Sequence, residues 1–246
     1  MSAPKALLRN EARLLIRNPG VLIWTVILPL AAAIVLGSIP AVREPSDDLG
    51  GLSFFQVYQP ILVLFVVTLL GVQALPDVLT RYREMGVLKR LRTTPVSPAL
   101  LLFAQLALTA LVSAGCMVLI VVVPGLTGAG WPRNIVAFLV AYVLAVWALL
   151  GIGIVIASLF SNSKVAAGFG AALFFVLQFF AGLWIQRPLM PGWMRHISDF
   201  TPSGAAAQAL TDSAAAGHWP QVLHLIVLAV WGAVMSFVAV RRFTWE

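Results

Sequence analysis

Seven charges crowd into residues 76–98: Asp77, Arg81, Arg83, Glu84, Lys89, Arg90 and Arg92. Val87, Leu88 and Leu91 sit among them at helical spacing, Gly86 interrupts the pattern, and Pro95 and Pro98 end it. A short helix of this kind can dock in a groove of a soluble partner, with charges setting register and aliphatic side chains supplying contact. The same composition also describes a solvated loop on the basic side of a membrane, and the residues alone leave both readings open. Enzymatic chemistry has no pattern to rest on. There is no G-x-x-x-x-G-K-[ST] loop, no H-E-x-x-H and no G-x-S-x-G elbow. His196, His218 and His224 are far apart and read as interfacial or structural. The single cysteine, Cys116, excludes an internal disulfide and a multi-cysteine metal site, and reads as a small packing residue. No catalytic or metal-binding residue is assigned.

The elements that must position these residues are membrane spans. Of 246 residues, 61% are hydrophobic and only 10% charged, too few charges to cover a water-soluble globule. A net charge of +7 would suit nucleic acid, but the cations fall between long apolar runs, which points to membrane topology and away from a nucleic-acid partner. Six stretches free of Asp, Glu, Lys and Arg are long enough to cross a bilayer: 21–41, 54–75, 99–123, 135–160, 165–185 and 222–240. The expected fold is an all-α integral membrane protein in one domain. The first run exceeds a signal-peptide core and lacks a clean cleavage site, so it is read as retained.

Twelve of the 16 basic residues fall on one side of such a chain: before span one, after spans two and four, and at the C-terminus. The other side holds five of the nine acids, Glu44, Asp47, Asp48, Asp199 and Asp212. The bias places both termini in the cytoplasm and the chain in the cytoplasmic (inner) membrane.

Residues 3–18 read as an amphipathic interfacial helix. Lys5, Arg9, Arg13 and Arg17 share one face, towards anionic headgroups or towards a cytoplasmic partner, and leucines take the other. Residues 186–221 are long, weakly polar and broken by prolines, suiting short re-entrant helices on the outer side. Within the spans, Gly151, Gly153, Ala166 and Gly170 allow close helix approach, with packing inside one chain as the default. Span five is aromatic, and most of its rings are read as facing lipid. Phe175 and Phe179, with Gln178 and with Gln56 and Gln59 of span two, are the candidates for a solute path. The spans hold no carboxylate, which weakens a proton- or sodium-coupled carrier.

Three segments resemble the ABC type-two permeases. Arg17-Asn-Pro-Gly-Val-Leu-Ile-Trp24 with Leu28-Pro29 is similar to their entry to span one. Arg83-Glu84-Met-Gly86-Val-Leu-Lys-Arg-Leu91-Arg92-Thr-Thr-Pro95-Val-Ser97 resembles their first cytoplasmic loop. Pro191-Gly-Trp193 through Thr201-Pro202 resembles their outer segment, although Thr201-Pro202-Ser203-Gly204 stands where Asn-Pro and an aromatic are common. The resemblance implies a permease that pairs with a second, identical or different, permease and with separate ATP-binding subunits. ATP and magnesium would then be held by the partner, and this chain would bind no cofactor. It also implies that Arg81, Arg83, Glu84, Gly86, Lys89, Arg90 and Arg92 lie at the ATPase contact, with Val87, Leu88 and Leu91 filling the partner's groove. The implied activity is export of a hydrophobic or amphipathic solute such as a drug, lipid or glycolipid. The alternatives are a carrier or channel acting alone and, lower still, an enzyme acting on lipids.

Overall fold

A backbone in hydrocarbon must satisfy its own N–H and C=O groups, so apolar runs of this length fold as helices. The computed structural model describes residues 19–86 and 98–242. The arm with Lys5, Arg9, Arg13 and Arg17 lies outside the described residues, as do Val87, Leu88, Lys89, Arg90, Leu91 and Arg92.

Helix α1 runs over residues 19–38, and α2 is the short Pro40–Arg43. A two-residue hairpin follows, with β1 (Pro45–Ser46) antiparallel to β2 (Leu52–Ser53). Then come α3 (Phe54–Glu84), α4 (Pro98–Leu126), α5 (Ile135–Leu159) and α6 (Ser163–Ala181). Two shorter helices, α7 (Gly192–Phe200) and α8 (Pro202–Thr211), precede α9 (Val222–Arg242). Among the described residues, five helices are long and apolar enough to cross a membrane: α3, α4, α5, α6 and α9. The apolar stretch Ile23–Ser38 of α1 is shorter.

Four span ends differ from the sequence expectation by three residues or more. Helix α1 ends at 38 rather than 41, and α6 at 181 rather than 185, where Gly182 turns left-handed with φ +96°. Helices α3 and α4 run longer than expected. The apolar run of span two stops near residue 75, yet α3 continues to Glu84, because Leu, Arg, Tyr and Glu are adequate helix formers and its last turns pack on α5 and α6. Gly86, with φ +66°, stops the helix in a left-handed turn. Span three reads as ending at Pro124, but α4 runs through that proline to Leu126.

Of the prolines inside helices, Pro29, Pro76 and Pro124 bear on the packing between helices, and the first two account for the π-helical stretches of α1 and α3. A proline withholds its N–H and crowds the carbonyl four residues earlier. Pro29 and Pro76 each follow a π-helical stretch, Ile23–Ile27 and Leu69–Ala74, that widens the turn ahead of the ring. The carbonyls affected by Pro29, Pro76 and Pro124 belong to Thr25, Val72 and Ile120. Cys116 Sγ donates to Thr25 O at 3.8 Å, and Gln59 Nε2 donates to Ile120 O at 3.2 Å. Val72 O is faced by Gly170 of α6 so closely that an added Cβ would collide with it. Gly153 of α5 meets the neighbouring Gly71 O in the same way. Gly153 and Gly170 thus pack within the chain onto the π-helical stretch of α3, and Gly151 packs against Met235 of α9.

The core is built around α5. Ala137, Ala141, Ala145, Ala148 and Leu149 are fully buried, as are Ala205, Ala206, Ala209 and Leu210 of α8. Small side chains let these helices approach closely enough for dispersion contacts to hold them without a hydrophobic drive from lipid. The connections gather in two sets. The turn between α5 and α6 meets the end of α3 through Ser163 and Glu84. The connection between α4 and α5 meets the segment after α8, where Arg133 N–H donates to Ala214 O and Asn134 N–H to Ser213 O.

Candidate functional site: the Glu84 cluster, an aromatic groove and the Asp199 cluster

The end of α3 carries the described part of the charged segment. Arg81 Nη2 donates to Asp77 Oδ2 at 2.8 Å, an exposed i,i+4 pair. Arg83 Nη1 donates to Phe160 O at 3.4 Å. Glu84 accepts twice from one residue: Oε1 from the Ser163 N–H at 2.8 Å and Oε2 from the Ser163 hydroxyl at 2.7 Å. Gln105 Nε2 of α4 donates to Tyr82 Oη at 3.4 Å, so α4 also reaches this cluster. Arg83 and Glu84 therefore engage the α5–α6 turn of their own chain. Ser163, which binds Glu84, lies 79 residues away and carries no local sequence signal.

A groove of about 450 Å³ opens between α1, α3 and α6. Trp24, Phe65, Phe174, Phe175 and Trp184 supply its aromatic walls, and Thr25, Gln73 and Asp77 supply polar atoms. Phe175 and Trp184 stack with centroids 5.9 Å apart, and Phe65 meets Phe174 edge-on at 5.2 Å. Span five therefore divides its rings: Phe174 is buried, while Phe175 is 58% exposed and lines the groove.

The other path candidates sit elsewhere. Gln178 is fully buried and donates to Leu64 O at 3.4 Å. Phe179 is half-buried beside Phe180. Gln56 closes a capping box with Ser53 at the start of α3, accepting the Ser53 N–H at 2.9 Å. Gln59 is held by Ile120. Gln56 and Gln59 also line a separate hollow of about 300 Å³ with Trp131 and Arg133, at the end opposite Glu84. Sequence reasoning did not single out Trp24 of α1 and Gln73 of α3 as groove residues, because the helices that bring them together are not adjacent in sequence; Trp184, just past the end of α6, belongs to the aromatic set of span five.

The end opposite Glu84 is stitched by a second polar cluster. Asp199 of α7 pairs with Arg187 and, at 3.1 Å, with His224 Nε2 in the first turn of α9. Ser198 Oγ donates to Phe180 O at 2.8 Å, and Trp231 Nε1 donates to Phe200 O at 3.0 Å. The segment is thereby bound to α6 on one side and α9 on the other. Burial alone would push the Asp199 carboxyl up, but hydrogen bonds and charge from Arg187 and His224 outweigh it and hold the group below the usual carboxylate range. At Asp212 the balance reverses: burial wins over the pull of His218, His224 and Arg187, and its carboxyl is raised.

Long apolar helices, two sets of connections and a polar cluster where the α3 end meets the α5–α6 turn describe a multi-pass membrane protein. A family model of ABC-2 type transporters matches residues 3–214. The chain belongs to the ABC-2 type transporter family. No curated protein matches it. It is the transmembrane permease component of an ABC transporter, not the ATPase, and permeases of this family normally pair with an ATP-binding subunit.

Proposed function

We propose that this ABC-2 permease is the membrane half of an exporter that moves a hydrophobic or amphipathic solute, such as a drug, lipid or glycolipid, across the cytoplasmic membrane, using ATP hydrolysed on a separate subunit. The observation that carries the reading is the groove between α1, α3 and α6, aromatic along its walls and polar at Gln73 and Asp77, whose α3 wall continues unbroken to Glu84. Such a lining suits a solute with an apolar body and a polar head.

The Lys/Arg bias supports an orientation with the Glu84 end in the cytoplasm. Lys89, Arg90 and Arg92, with Val87, Leu88 and Leu91, form the contact with the ATPase, and Arg81 and Gly86 lie at its edge. The N-terminal arm with Lys5, Arg9, Arg13 and Arg17 rests on the lipid headgroups beside it. Two permeases, identical or not, enclose the path between their grooves. ATP and magnesium stay in the partner. Energy passes only if the closed ATPase pair binds one permease conformation better than the other.

The test is reconstitution of the permease with its co-purified ATPase in vesicles loaded with a fluorescent amphiphile. Export should need hydrolysable Mg-ATP and both subunits. Export by the chain alone, or export indifferent to a non-hydrolysable analogue, would overturn the reading in favour of a stand-alone carrier.

A further inference from the structure

Arg83 and Glu84 are consecutive, opposite in charge, and each meets a helix end of opposite polarity. Phe160 closes α5, where unpaired carbonyls concentrate partial negative charge, and it is this carbonyl that Arg83 approaches at 3.4 Å. Ser163 opens α6, where free N–H groups concentrate partial positive charge, and it is this N–H that Glu84 accepts at 2.8 Å. The first turn of α6 satisfies its other donors by itself. Asn162 Oδ1 accepts from Lys164 and Val165 N–H, and Asn162 O accepts from Ala166 N–H. Of the first four N–H groups, only that of Ser163 goes to another helix. The second Glu84 oxygen holds the Ser163 hydroxyl at 2.7 Å. Two short bonds from one carboxylate to one residue fix orientation as well as distance.

We propose that Arg83 and Glu84 act inside the chain as positioning residues, a clamp that locks the α5–α6 turn to the end of α3, so that a displacement imposed by the ATPase on the segment after Gly86 is carried into α6 and hence into the groove wall that holds Phe175. The proposal rests on the reading of the chain as an ATP-coupled permease. It gives Glu84 a role distinct from pairing with charges on the partner. A clamp of this kind makes the helix that bounds the solute path follow the helix end that receives force. Without it, α3 could move while α6 stayed behind.

The experiment uses the full chain in complex with its ATPase in lipid nanodiscs, with Cys116→Ser as background and spin labels introduced in pairs. Labels at Met85→Cys and Val165→Cys report the clamp, and each is also paired with Val240→Cys, an exposed site on α9. Adding Mg-ATP should change the 85–240 and 165–240 distances together while 85–165 stays constant. E84A and E84Q should cut the 165–240 change by roughly half or more and leave the 85–240 change in place. S163T, which keeps the hydroxyl and the N–H, should respond like the native chain. S163A, which loses one bond of two, should fall between. The clamp is overturned if 85–165 varies with nucleotide in the native chain, or if 165–240 responds fully in E84A, E84Q and S163A. Those results leave the permease reading intact. If Mg-ATP moves no pair, both fall together.

Discussion

Gln59 donates its side-chain amide to the carbonyl of Ile120, the group that Pro124 leaves without its usual helical donor. Two membrane helices are joined where one of them is weakest. This contact also explains why α4 continues past a proline that reads as a helix end: the orphaned acceptor has a partner on α3, so the helix need not stop. Gln59→Leu should lower stability by about 1–2 kcal/mol, the range for a buried acceptor left unmet. Pro124→Ala restores a backbone donor to Ile120, so Gln59→Leu should cost much less in that background. Unfolding of the purified protein in mixed micelles measures the double-mutant cycle. Equal costs in the two backgrounds would refute the link.

The π-helical stretch of α3 sets a strict size limit on its neighbours. Gly153→Ala and Gly170→Ala each place a methyl against a backbone carbonyl, at Gly71 and Val72, which cannot swing away like a side chain. Each should destabilise the fold by about 1–3 kcal/mol. Gly115→Ala and Gly168→Ala serve as controls, since a Cβ there meets open space, and the helix preference for alanine should make them neutral or stabilising by about 0.5–1 kcal/mol. Thermal midpoints in detergent separate the two pairs. Similar midpoints for all four would contradict the packing described for Leu69–Ala74.

Asp199 and Asp212 predict opposite responses to pH. The Asp199 carboxyl is depressed in the fold, so the unfolded chain takes up its proton first. The stability it contributes is therefore complete above the ordinary carboxylate value of about 4 and is lost as pH falls below it. Asp199→Asn should lower the midpoint at pH 7 and flatten the acid limb. Asp212 is raised, so its ionised form is disfavoured by folding, and Asp212→Asn should raise the midpoint at pH 7. The decisive measurement is the change in midpoint between pH 7 and pH 3 for each variant against the native chain.

The direction of the chain across the bilayer is open to a labelling test. Cys116 is buried, so a polar thiol reagent should report introduced cysteines almost alone. With the Glu84 end in the cytoplasm, Arg133→Cys should react in intact cells, and Met85→Cys only after permeabilisation. The reverse pattern would invert the topology.

The sequence made much of the architecture readable, and the gaps have physical causes. Apolar runs announced the spans, since one window of about 20 residues contains the whole signal. The last turns of α3 were hidden because hydropathy reports on lipid, and helix continuation from Leu75 to Glu84 depends on packing against α5 and α6. The π-helical stretches of α1 and α3 had a visible trigger in Pro29 and Pro76, but not a visible outcome. The glutamines read as candidates for a solute path do have hydrogen-bond partners, and sequence cannot say that Gln59 and Gln178 meet backbone carbonyls of neighbouring helices. The pairing of Glu84 with Ser163 is a property of the folded bundle, with no periodicity to betray it.

A rod as long as α3 is too tall for the oil it stands in. Its 31 residues span about 46 Å at 1.5 Å per residue, against a hydrocarbon layer of about 30 Å. Even with a moderate tilt, its last turns stand proud of the acyl chains and reach through the zone of phosphates and glycerol. On the proposed topology, a motor protein docking at that tip would sit clear of the lipid heads, with no need to dehydrate them before each stroke.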